Sequence, residues 1–220
     1  HSWEGGSLRE MAMSEFFLKP FILAFGTTTS VLLIFFSIVR WSRWLRKYEK
    51  FWFRFGGVAI LLGFLSSLLL DGRVVMTLPL WGFAFGTLVL FGFSLWDDLF
   101  SLSWRTQIFF QIALGLILFL FNVRILFVTN PFGGVWSFAS EVSLFPVFVV
   151  GLGWLLLVMN ALNWLDGSDG LCGGISFIAL ITIFFLTLKP EVNQPAFAII
   201  AAGASGAVLG FLLFNLPPAR

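Results

Sequence analysis

The 220-residue chain is poor in the residues that build many soluble active sites. It has one cysteine, Cys172, so no disulfide can close within it. Its single histidine is His1. A histidine-based metal site or a Ser-His-Asp triad cannot be built from such a chain. Charge is also scarce. Asp, Glu, Lys and Arg make up 11% of the residues, where soluble domains carry about 25%. The formal net charge of +2 is small. The basic residues matter by where they stand, and no nucleic-acid partner is expected. No period of 20–50 residues repeats, so a tandem architecture is excluded. A cleavable signal peptide is not evident, because the first apolar run is long and lies close to a basic cluster.

What the chain has in excess is apolar: 59% hydrophobic residues, with 30 Phe and 10 Trp. This composition indicates a polytopic membrane protein and argues against a soluble globular domain. A bilayer core needs about 20 apolar residues per helix. Seven segments qualify, near 17–40, 54–70, 78–96, 105–121, 143–160, 171–188 and 194–214. The expected fold is an all-α membrane helix bundle, about seven transmembrane helices in one membrane domain, 1–220. Residues 1–14 read as an irregular polar leader. Between 122 and 142 the pattern changes. Asn122-Val-Arg-Ile-Leu-Phe-Val favours strands and Asn130-Pro-Phe-Gly-Gly134 signals a turn, so a short β-hairpin near 123–138 is expected on the outer face.

Basic residues beside helix ends set the orientation. Arg40, Arg43, Arg46, Lys47, Lys50 and Arg54 crowd the first connection, which is expected to be cytoplasmic. Alternation then puts the N-terminus and the loops at 71–77 and 122–142 outside. It puts 97–104 and 161–170 inside. Two crossings thus bring Asp97 and Asp98 to the same face as the run from Asn160 to Asp169.

That run, Asn160-Ala-Leu-Asn-Trp-Leu-Asp-Gly-Ser-Asp-Gly-Leu171, is the most informative stretch. Asn160, Asn163, Asp166 and Asp169 stand at every third position, directly between two apolar segments. An ionised carboxylate at a membrane helix centre costs roughly 2.5–3.5 kcal/mol on insertion scales, so the run reads as a site. In a helix, steps of three drift by about 60°, and four such positions would line about half the circumference of a cleft. Gly167 and Gly170 would end the helix and let backbone N–H groups approach an anion. Amides with carboxylates suit Mg²⁺, a hard cation that takes oxygen ligands; Mn²⁺ is the alternative ion. The competing reading is a capped loop, since Asn, Asp and Gly are also turn chemistry. The adjacent carboxylates Asp97 and Asp98 can bind a divalent cation or take a proton, or can be a polar stop at the membrane boundary. Arg54, before Phe55-Gly56-Gly57 at a helix entrance, is a candidate for phosphate contact. Gly203, Gly206 and Gly210 read as close helix packing, and Cys172 as a small packing residue.

These residues resemble the polyprenyl-phosphate N-acetylhexosamine-1-phosphate transferases, glycosyltransferase family 4. Four blocks carry the resemblance: Arg54-Phe-Gly-Gly-Val-Ala-Ile60; Trp96-Asp-Asp-Leu with Leu102-Ser-Trp-Arg105 and Gln111; Asn160 through Leu171; and Phe214-Asn-Leu-Pro-Pro-Ala-Arg220. The resemblance implies transfer of a HexNAc-1-phosphate from a UDP-N-acetylhexosamine to polyprenyl (undecaprenyl) phosphate, with release of UMP. It implies Mg²⁺ dependence and residence in a bacterial inner (plasma) membrane, active on the cytoplasmic face. Beyond the two substrates and membrane lipid, a homodimer is left open. By resemblance Asn163 would be a Mg²⁺ ligand, and Asp97 or Asp98 would orient or deprotonate the lipid phosphate. Asp166 would support metal and diphosphate. Gly167 and Asp169 would lie near the uridine. Asn160 and Arg54 would face substrate.

Three departures stand out. Gln107 occupies a position where many members carry Lys. Phe51-Trp52-Phe53 precedes the Arg-x-Gly-Gly element, where members often have Pro. Finally, a Gly-Asp-x-Gly-like element, expected to bring a principal Mg²⁺ ligand, would lie beyond Arg220. Both ends look cut, and a chain of about two-thirds of such an enzyme is expected to be inactive alone. A transporter or channel that couples ions through carboxylates is the competing class, but its ionisable residues typically sit at the midplane. The Asp, Gly and Arg signature of a CDP-alcohol phosphotransferase is absent.

Overall fold

A computed structural model describes residues 2–41, 55–130, 132–138 and 143–216, with side chains from Phe17 onward. Among these are seven helices: α1 Ser2–Trp41, α2 Phe55–Leu70, α3 Leu78–Phe100, α4 Trp104–Leu120, α5 Phe145–Leu165, α6 Leu171–Thr187 and α7 Pro195–Asn215. Strands β1 Phe127–Thr129 and β2 Val135–Ser137 lie between α4 and α5. They pair antiparallel, Phe127 opposite Ser137 and Thr129 opposite Val135. Gly133 and Gly134 turn the hairpin at φ +111° and +79°, values that only glycine adopts readily. The all-α bundle and the hairpin match the expectation.

The leader does not. Residues from Ser2 onward are helical and continuous with α1. Leu8, Arg9, Glu10, Met11, Ala12 and Met13 are good helix formers, and polarity alone does not disfavour a helix. Four stretches have the length and apolar character to cross a bilayer: Phe17–Trp41, α3, α5 and α7. The remaining helices, α2, α4 and α6, have 16, 17 and 17 residues. At 1.5 Å per residue these rise roughly 24–26 Å, at the lower limit for spanning.

The described chain forms two compact units. The first, 1–75 with 166–220, contains α1, α2, α6 and α7. Its centre is α7, whose buried face is a stripe of small residues: Ala198, Ala201, Ala202, Ser205, Gly206 and Gly210. Lipid gives helices no hydrophobic reason to associate, so close approach and interhelical hydrogen bonds must hold them. Both are present. A Cβ on Gly206 would meet the backbone carbonyl of Phe21 on α1, and one on Gly203 would meet the Ser67 hydroxyl on α2. The Thr28 hydroxyl donates to the Ala59 carbonyl at 3.2 Å, and Ser66 donates to Thr27 at 3.0 Å.

The second unit, 76–165, holds α3, α4, the hairpin and α5. Helix α4 packs against both α3 and α5. Residue pairing gives the directions. Phe110 on α4 stacks on Phe93 of α3 while Gly82 abuts Phe121, so α3 and α4 run antiparallel. Phe119 meets Phe148 edge-on while Gln111 meets Asn160, so α4 and α5 are antiparallel as well. The C-terminal ends of α3 and α5 therefore lie at one end of the unit, with the N-terminus of α4. The hairpin lies toward the other. A cavity of about 320 Å³ between α4 and α5, lined by apolar side chains and Arg124, lies toward the hairpin end.

Candidate functional site

The α3–α4 connection is three residues long, and Asp97 organises it. Its backbone carbonyl accepts from the Ser101 N–H at 2.7 Å, closing α3 with Ser101 left-handed at φ 49°. The Asp97 carboxylate accepts the Leu102 N–H at 2.9 Å. Ser103 then caps α4, its hydroxyl accepting the Thr106 N–H at 3.4 Å. One turn into α4, the Gln107 amide donates to both Asp97 oxygens, at 3.2 and 3.1 Å. Asp97 is thus half-buried and held by three donors of its own chain. Asp98, beside it, is exposed.

One further turn along α4 stands Gln111, only 6% exposed. Its side-chain oxygen accepts from the Asn160 amide at 3.0 Å. The same Asn160 nitrogen donates to the Leu156 carbonyl at 2.8 Å. A ladder of polar side chains, Asp97–Gln107 above and Gln111–Asn160 below, therefore joins three helices at one end of this unit. Asn160 lies five residues before the end of α5, about 7.5 Å below it. At that depth a polar amide without a partner would be costly, and Gln111 supplies one.

Asn163 also lies on α5 and is exposed. The run from 160 to 169 divides between helix and turn, so its four polar positions do not line one helical face. α5 ends at Leu165, and Asp166, Gly167 and Asp169 occupy the turn before α6. Asp-Gly-Ser-Asp-Gly prefers local turn hydrogen bonds to a helix, and Gly170 takes φ +74°, which a helix cannot accommodate. The Leu171 N–H donates to the Ser168 carbonyl at 3.2 Å within the turn. Asp166, Gly167 and Asp169 are all exposed. They belong to the first unit, whereas Asp97, Asp98, Asn160 and Asn163 belong to the second. Arg54 lies outside the described residues. Among the described residues no three His, Cys, Asp or Glu side chains gather as a metal site.

Gln107 and Gln111 had been legible only as a lost cation and as part of a block. Two amides four residues apart on one face of a helix that is apolar after Arg105 and Thr106, Trp-Arg-Thr-Gln-Ile-Phe-Phe-Gln, were the available signal.

A model of glycosyl transferase family 4 matches residues 80–220. The chain belongs to that family. It is similar to a probable undecaprenyl-phosphate N-acetylglucosaminyl 1-phosphate transferase of Bacillus subtilis, 27% identical over 79% of this chain and 46% of the relative. A phospho-N-acetylmuramoyl-pentapeptide-transferase of Synechococcus elongatus is 35% identical over 75% of this chain and 47% of its own length. A putative UDP-N-acetylglucosamine–dolichyl-phosphate N-acetylglucosaminephosphotransferase of Sulfolobus acidocaldarius is 28% identical over 75% and 51%. The chain spans about half the length of these curated relatives. The matched region of this family 4 member contains both rungs of the ladder and the 160–171 run. Its apolar helices and its membrane-enzyme relatives make it an integral membrane protein.

Proposed function

We propose that the protein transfers a HexNAc-1-phosphate from a UDP-N-acetylhexosamine to polyprenyl phosphate at the cytoplasmic face of a bacterial inner membrane. The lipid phosphate oxygen attacks the β-phosphorus of the donor. The bond from that phosphorus to the bridging oxygen breaks, UMP leaves with the electron pair, and a polyprenyl diphosphate sugar stays in the membrane. The observation that carries the reading is the ladder. It ties the Asp97 carboxylate on α3 and the Asn160 amide on α5 to α4, in a chain whose named relatives are sugar-1-phosphate transferases. The transporter alternative has no such support, since the carboxylates Asp97 and Asp98 stand at a helix end.

Phosphoryl transfer depends mainly on placing reactants and offsetting charge. A phosphate monoester has its second pKa near 6, so the acceptor arrives largely ionised and needs orientation more than deprotonation. Asp97, anchored by its own chain, defines the turn, and Asp97 or Asp98 is the carboxylate that would orient the lipid phosphate and its counter-cation. Asn163 offers a hard oxygen donor of the kind Mg²⁺ takes, and Asp166 would support the metal and the diphosphate. When bound, the ion would supply charge neutralisation on the diphosphate. Gly167 and Asp169 serve the nucleotide side, Asn160 the substrate, and Arg54 a phosphate.

UMP release by the intact protein in lipid nanodiscs tests this reading. Asp98→Asn, Asn163→Ala and Asp166→Asn should each lower it at least about tenfold, the effect of roughly 1.4 kcal/mol lost from the transition state, with expression unchanged. Near-normal turnover in Asn163→Ala and Asp166→Asn would remove their assignment.

A further inference from the structure

We infer that Gln107 and Gln111 are positioning residues that act as a two-rung clamp of opposite polarity, Gln107 by donating to Asp97 and Gln111 by accepting from Asn160. The inference rests on the proposed function for what the clamp serves, but its geometry stands apart from it. The two amides are four residues apart on α4, on one face and about 6 Å apart along the axis. At the upper rung the polarity is forced. An ionised carboxylate only accepts, and the Gln107 nitrogen lies 3.1–3.2 Å from both oxygens. At the lower rung it is forced by the backbone. The Leu156 carbonyl, 2.8 Å away, can only accept, so the Asn160 nitrogen must face it and Gln111 must offer its oxygen.

Two consequences follow for the site. The terminal torsion of an Asn side chain is broad in isolation. Here both N–H bonds of Asn160 are committed, so Oδ1 is the atom that the clamp leaves to a ligand. Asp97 is likewise held without being neutralised, because its clamp is an amide.

The same substitution should act unequally at the two rungs, which a packing role would not produce. Gln107→Glu removes the donor and sets a second carboxylate against Asp97. Gln111→Glu keeps an acceptor oxygen for Asn160 in either protonation state. Gln107→Lys keeps a donor, and Gln111→Met removes the acceptor at similar size. In the intact protein in nanodiscs, Gln107→Glu and Gln111→Met should lower kcat for UMP release by about tenfold, the value of one hydrogen bond to a committed polar group. The KM for the UDP-sugar should stay within about twofold, since uniform binding is untouched. Gln111→Glu and Gln107→Lys should stay within about threefold of wild type on the same reasoning. Equal behaviour of the two Gln→Glu variants, or wild-type kcat in Gln111→Met, overturns the clamp. If the unsubstituted full-length protein releases no UMP, the function reading fails and the clamp is judged by thermal unfolding alone. Gln111→Met and Asn160→Leu should then be non-additive, and Gln107→Glu should lower the Tm more than Gln111→Glu; additive losses with equal Tm changes reject it.

Discussion

Asp71, 1% exposed, sits just past the end of α2 with Arg73 folded onto it. The guanidinium is bidentate, Nε donating to one oxygen at 2.8 Å and Nη2 to the other at 2.6 Å, and the Arg73 backbone N–H adds a third bond at 3.2 Å. The Arg73 side-chain hydrogen bond pulls the Asp71 pKa below its usual 3.8; burial pushes the other way, and the charges of Arg73 and Lys19 add to the lowering. A folded-state pKa below the unfolded one stabilises the fold fully above the unfolded value. That contribution disappears as pH falls through the folded value. The Tm of the purified protein should therefore fall as pH drops from about 5 to about 3, and Asp71→Asn should flatten the part of that fall due to this residue. An unchanged slope in Asp71→Asn would show that the pair carries none of the acid sensitivity. Arg73→Leu at neutral pH leaves a buried carboxylate short of partners and should cost about 2 kcal/mol, read as a lower midpoint in chemical unfolding. Sequence alone marks Arg73 only as an outer-face cation, because nothing in Asp-Gly-Arg says that the acid is buried.

Between elements, the tightest requirement is on α7. Gly206 rests against the Phe21 carbonyl, a backbone atom that cannot rotate away. Gly206→Val must push α1 off α7 and should destabilise by about 1–3 kcal/mol. Gly174→Ala on α6, where a Cβ meets open space, should be neutral or stabilising by up to about 1 kcal/mol. Thermal unfolding in one detergent separates them, and equal Tm values would mean that α1 and α7 are not closely packed through Gly206. The small-residue stripe was legible because glycines three and four apart in an apolar helix have few other uses. The bounds of α5 were not. The polarity of Asn160 and Asn163 suggested a helix ending near 160, yet α5 runs to Leu165 because Asn160 finds Gln111 on a neighbouring helix. A tertiary partner outweighed the local signal.

For the whole molecule, composition alone revealed the class. Seven apolar runs became seven described helices, and the loop rich in Val, Ile and Phe with Gly133-Gly134 became a hairpin. What hydropathy could not reveal is which polar side chains meet, since Asp97 and Gln107, or Gln111 and Asn160, pair only after helix directions are set. Those directions make the membrane orientation testable. In the second unit Trp104 begins α4 at the Asp97 end, and Phe132, 95% exposed, tips the hairpin toward the other. With Cys172 replaced by Ser, Trp104→Cys and Phe132→Cys can be probed one at a time in intact cells with a membrane-impermeant maleimide. From the sequence, the basic first connection and the alternation of crossings lead us to expect the Asp97 end in the cytoplasm. Phe132→Cys should label from outside, and Trp104→Cys only after the membrane is permeabilised. Labelling of Trp104→Cys in unbroken cells would place the acidic pair on the face away from UDP-sugars, and the transfer reaction could not run there.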